Sequence, residues 1–130
     1  MRKEQRSRLA RRAATARWAR LGRGVLTLAQ IRDAVAKAMV GRKAKAFLFD
    51  AYARGDATAR DEIYILVIVE KMPEDWAKET ADLTGAIYEA LGDDQKEIVL
   101  YLADAATYRE WKGAYGTPHH AVASGGIQLV

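Results

Sequence analysis

The chain has no cysteine. That excludes disulfides, thiolate metal sites and cysteine nucleophiles, and it fits a reducing, cytoplasmic compartment. Long apolar runs are also missing. The longest, Ile63 to Val69, is far short of the roughly 20 residues of a membrane-spanning helix. The basic N-terminus lacks a following apolar core and a small-residue cleavage site, so it does not read as a secretory signal. Acidic residues are scarce in one region. Residues 1–24 hold nine Lys/Arg and one Glu, a balance of +8; residues 25–130 hold twelve Lys/Arg and sixteen Asp/Glu, a balance of −4. The overall +4 therefore belongs to the first fifth of the chain. What is present is sufficient for one domain: 130 residues, half of them apolar, can bury a core with no metal or disulfide staple.

This partition predicts two parts, an Arg/Ala-rich helical extension over 1–24 and a folded domain over 25–130. In the extension, Ala10, Ala14, Trp18 and Leu21 form a narrow apolar stripe. Arg6, Arg8, Arg11, Arg12, Arg17 and Arg20 occupy much of the remainder, the footprint of a polyanion binder such as one for DNA or RNA, and equally that of a solubilising arm or of a helix that docks on an acidic partner. Leu21-Gly22-Arg23-Gly24 reads as a hinge.

In the domain, Thr27 and Gln30 have the spacing of a capping box, and Leu28, Ile31, Val35, Ala38 and Met39 form the apolar face that follows. Ala46 to Phe49 reads as a short strand and Asp50 to Arg60 as a connection with a short helical piece. Glu62 to Val69 reads as a central strand buried on both faces. Pro73 is expected to open a long helix reaching about Leu91, with Trp76, Ala77, Leu83, Ile87 and Leu91 facing inward. Lys96 to Leu102 is a further strand, Asp104 caps a helix through Trp111, Thr117-Pro118 opens a last helix, and Ile127 to Val130 ends the chain as a strand. The fold class is α/β, a small mixed sheet with packed helices. Trp76 and Trp111 are read as packing residues, Tyr101 and Tyr108 as core or rim, and His119-His120 as an exposed helix start.

One segment carries more than architecture. Leu48-Phe49-Asp50-Ala51-Tyr52-Ala53-Arg54-Gly55-Asp56-Ala57, followed by Glu62-Ile63-Tyr64-Ile65-Leu66-Val67, resembles the minimal nucleotidyltransferases of the DNA polymerase β-like superfamily. The likeness covers roughly residues 27–130. That family's signature is a strand, Gly-Ser opening a helix, an Arg-Gly turn, and Ser-Asp-x-Asp entering a second strand. The resemblance implies a nucleotidyltransferase-like fold and phosphate binding at the helix start, with nucleotide contacts near Arg54 and Gly55. It also implies two divalent metals held by carboxylates two residues apart on one strand face and a third on the next strand.

At the chemical positions this chain departs from the pattern. Asp50 stands at the Gly, Ala51 at the Ser, Glu62 and Tyr64 at the two metal carboxylates, and Glu97 falls nearest the third. Two unit charges 4 Å apart interact by roughly 4 kcal/mol in a protein surface environment, so an anion at Asp50 opposes a triphosphate. A neutral phenol is a poor Mg²⁺ ligand. The expectation is a catalytically inactive scaffold, with no cofactor, that acts by binding. The resemblance implies a HEPN-type helical protein of a toxin–antitoxin pair, or self-association. The alternative is an active enzyme moving a nucleoside monophosphate from an NTP to a protein, nucleic acid or small hydroxyl acceptor. It would hold Mg²⁺ through Glu62, Glu97 and a rewired Asp50.

Overall fold

A computed structural model describes residues 25–92 and 96–130. The expected helix over 2–21 and the hinge after it lie outside the described residues. Among those described there are five helices and a four-stranded mixed sheet.

Helix α1 (Leu28–Ala38) starts as the sequence predicts. Thr27 Oγ1 accepts from the Gln30 amide, and the Gln30 side chain accepts from the Thr27 amide. Ile31, Ala34 and Val35 recur on one face and are buried, as a helical period requires. Strand β1 (Ala44–Phe49) follows, then helix α2 (Ala51–Arg54), a single turn closed by Gly55 at φ +81°. Strand β2 (Ile63–Val69) lies between β1 and β3. Helix α3 (Trp76–Leu91) connects it to the parallel strand β3 (Ile98–Asp104). Helices α4 (Ala105–Trp111) and α5 (Pro118–Gly125) lead to β4 (Ile127–Gln128). The strand order is β3-β2-β1-β4, with β1 antiparallel to both neighbours.

Alternation along β2 divides the molecule into two layers. Ile63, Ile65 and Val67 point to the larger core, shared with α1 and with Leu83 and Ile87 of α3. Tyr64, Leu66 and Ile68 point to the opposite face. There Phe49, Leu66, Ala103 and Val122 form a smaller cluster beneath α4 and α5. β2 is thus central, as its near-continuous β-branched sequence predicts, but only Ile63, Ile65, Leu66 and Val67 are buried, and Tyr64, Ile68 and Val69 are half-buried.

Three expectations about α3 and the tryptophans are corrected. The helix begins at Trp76 with Asp75 as its cap, accepting from the Lys78 amide, so Pro73 lies before it and not in its first turn. Trp76 and Trp111 are exposed, at 57% and 46%. Trp76 sits in the first turn of α3, before the buried pair Leu83 and Ile87; apolar spacing alone did not separate it from the inward stripe. An ion pair from Arg42 to Glu79 ties the loop after α1 to α3. Among the described residues no helix is long and apolar enough to cross a membrane.

Candidate functional site

The second face of the sheet is incompletely covered, and the gap is an open cleft of about 460 Å³. Its floor is Phe49, Tyr64 and Tyr101 from three adjacent strands. Asp50 and Arg54 close one side, and the segment from Tyr115 to Ala121 closes the other. The pleat explains the floor. Phe49 is opposite Tyr64 across the antiparallel pair, and their rings are 5.6 Å apart. Tyr101 is opposite Leu66, two residues along β2 from Tyr64 on the same face, with its ring 6.2 Å from Phe49. These separations are those of tilted aromatic pairs.

Asp50 is the cap position of α2, yet its side chain makes no capping bond. Arg54 Nη1 instead donates to Asp50 Oδ1 at 2.8 Å, and Arg54 Nε donates to Asp56 Oδ2 at 3.3 Å. These bonds raise the Arg54 pKa above its already high ordinary value, first through Asp50 and then through Asp56. The Asp50 backbone is at φ +70°, ψ −146°. No other described non-glycine residue has a positive φ. This combination is close to a region populated almost wholly by glycine.

Glu62, the residue before β2, lies on the same side as Tyr64. The Tyr64 hydroxyl donates to Glu62 Oε2 at 2.6 Å. That bond, then burial and neighbouring negative charge, push the phenol up to about 12. The proton is held more tightly in the fold than in the unfolded chain, whose phenol titrates near 10. The contribution to stability is complete below about pH 10 and is lost as pH rises through about 12.

The structure brings Asp50, Arg54 and Tyr64 into one cleft, with Glu62 bonded to the last. It does not assemble the alternative carboxylate cluster. Among the described residues no three His, Asp or Glu side chains are gathered in a way that would hold a metal ion. Asp50 is turned to Arg54, one Glu62 oxygen is taken by Tyr64, and Glu97 is an exposed residue preceding β3. Ala51 and Gly55 follow the strand-to-helix turn where expected, but the helix they bound is four residues long. Arg6, Arg8, Arg11, Arg12, Arg17 and Arg20 lie outside the described residues.

The far wall of the cleft was missed by sequence reasoning. Thr117 caps α5 by accepting from the His120 amide at 3.1 Å, and its hydroxyl donates to the Ala114 carbonyl at 2.8 Å. This fixes the loop before α5 and turns His120 toward the cleft, against the Tyr115 ring at 5.7 Å. His119 faces Tyr108 instead, at 6.4 Å. The pair diverges as adjacent helical residues must, but both are half-buried, not exposed. The usable signal was Thr117-Pro118 itself, which predicts where α5 starts and so which way His120 faces.

Searched against known families and curated proteins, the chain has no match to any family model or to any curated protein.

Proposed function

We propose that residues 25–130 are a nucleotidyltransferase-like domain that has left catalysis and works by binding a protein partner. The observation that carries this reading is Asp50. The resembled family has glycine at this point, where the backbone turns from strand into helix beside the triphosphate. Here the backbone has a glycine-like conformation with an aspartate in it, and the carboxylate is bonded to Arg54. Conformation and chemistry have separated: the turn is kept and the phosphate-accepting surface is reversed in charge. The succession of β1, a one-turn helix, the left-handed Gly55 and β2 supports the same likeness.

The residues at the metal positions do not fit Mg²⁺. Magnesium requires several oxygens in a tight octahedron. Glu62 has one oxygen engaged by a protonated phenol, and Tyr64 is far from ionising at neutral pH. No reaction step is derived through the metal. The class of partner implied by the resemblance is a small helical protein of HEPN type. Nucleic acid bound through the arginine-rich extension is compatible with it.

Titration calorimetry of the full chain with ATP and Mg²⁺ or Mn²⁺ tests the reading. No micromolar binding is expected. The combined variant Asp50→Gly, Ala51→Ser, Glu62→Asp and Tyr64→Asp is expected to gain metal-dependent ATP binding. Metal-dependent binding by the unaltered chain would refute the loss of chemistry, and a folded combined variant that gains nothing would remove the likeness.

A further inference from the structure

The two edges of the sheet differ. At one end β4 has two residues. At the other, β3 has seven. The Ile63 amide donates to the Glu97 carbonyl at 2.8 Å, and Ile63 is opposite Ile98. In a parallel ladder this directs the backbone groups of Val99, Tyr101 and Ala103 toward β2 and those of Ile98, Leu100 and Leu102 away from it. The Tyr88 hydroxyl accepts from the Ile98 amide at 2.8 Å. Among the described residues nothing pairs with the outward groups of Leu100 and Leu102. Open edges are ordinarily blunted by lysine, proline, a bulge or an inward charge. Ile98 to Ala103 contain no charge and no proline. The one charge in β3, Asp104, is occupied in capping α4 through the Thr107 amide.

We propose that β3 pairs with β3 of a second copy of this chain, antiparallel, about a twofold axis at Tyr101. The register follows from the outward groups. Centring on Tyr101 sets Leu100 opposite the partner's Leu102, and both residues present their amide and carbonyl outward. They exchange a pair of hydrogen bonds, and the axis repeats the pair. A shift by one residue in one strand sets outward groups against inward ones and makes none. Centring on Leu100 requires the Ile98 amide, which Tyr88 already holds. An uncharged strand also meets its own copy without opposing like charges.

The centre of this interface is Tyr101, 41% exposed. Residues facing each other at a non-hydrogen-bonded position have Cα atoms about 4.5 Å apart, the closest cross-strand approach. The two Tyr101 rings therefore bury each other, an arrangement favourable in sheets. The axis is perpendicular to the sheet, so both rings lie on the cleft side. The partner's Tyr101 then stands beside the cleft of the first copy. This inference is independent of the nucleotidyltransferase reading.

Sedimentation of the full chain from micromolar to hundreds of micromolar concentration tests it, with circular dichroism to verify folding. The unaltered chain is expected to dimerise. Tyr101→Lys and Tyr101→Glu each place like charges face to face and are expected to weaken self-association about tenfold or more. Mixing the two variants sets Lys against Glu and is expected to restore the dimer. A monomeric unaltered chain overturns the proposal. So does a dimer indifferent to Tyr101→Lys, or a mixture of folded variants that stays monomeric.

Discussion

Asp50 combines a backbone that suits glycine with a side chain tied to Arg54. A β-carbon at φ +70° and ψ −146° costs about 1–3 kcal/mol. The ion pair is half exposed, and such pairs return little of this in water. Asp50→Gly is therefore expected to stabilise the domain. Asp50→Ala keeps the strained β-carbon and loses the carboxylate, so it is expected to be the less stable variant by about 1–3 kcal/mol. Urea unfolding at constant slope measures the gap; an alanine variant as stable as the glycine variant would refute the strain. Nothing in composition or periodicity signals a positive φ at Asp50. It was marked only because the surrounding motif places glycine there. The Glu62–Tyr64 bond was half legible: a two-residue spacing on a strand puts both side chains on one face, but not the phenol on the carboxylate.

At the scale of elements, caps were the most legible feature. Thr27 with Gln30, Asp104 and Thr117 each cap as their local sequence predicts, because a cap is satisfied within a few residues of itself. The cleft was not legible. Its walls come from the ends of β1 and α2 and from the loop before α5, joined only by the fold. Patterns assign a residue to a face, not to a neighbour from a distant segment. Glycines separate local from tertiary demands in a measurable way. Gly85, within α3, has open space where a β-carbon would stand, so Gly85→Ala is expected to stabilise by about 0.5–1 kcal/mol through helix propensity alone. Gly126 joins α5 to β4 at an ordinary φ of −71°. A β-carbon there would lie 2.8 Å from the Val122 carbonyl oxygen and 2.9 Å from its Cα. Both are backbone atoms and cannot swing aside. Gly126→Ala is expected to cost roughly 1–3 kcal/mol and to loosen the β4 pairing to β1. Thermal melts and amide exchange at Leu48 would report both effects, and equal melting temperatures for the two variants would refute the distinction.

The whole molecule is divided by charge, and the division was fully legible because it is compositional: +8 in residues 1–24 against −4 in residues 25–130. The cleft sharpens its meaning. Its cation, Arg54, is held by two carboxylates, so a polyanion finds little attraction on that face. Binding of nucleic acid through the extension, as proposed, must be sensitive to salt, since each phosphate neutralised releases counterions. Replacing Arg6, Arg8, Arg11, Arg12, Arg17 and Arg20 by Gln in the full chain is expected to weaken binding to a labelled DNA duplex. If all six meet phosphates, the slope of log affinity against log salt becomes shallower by about 5. Fluorescence anisotropy over a salt series reads both quantities. A shallow slope in the unaltered chain, or an unchanged slope after substitution, places the binding elsewhere. Dimerisation through β3 would bring a second extension into the same assembly. Tyr101→Lys would then lower apparent duplex affinity by removing the second arm, despite adding a positive charge to each chain. That opposition of sign separates the effect of assembly from that of charge.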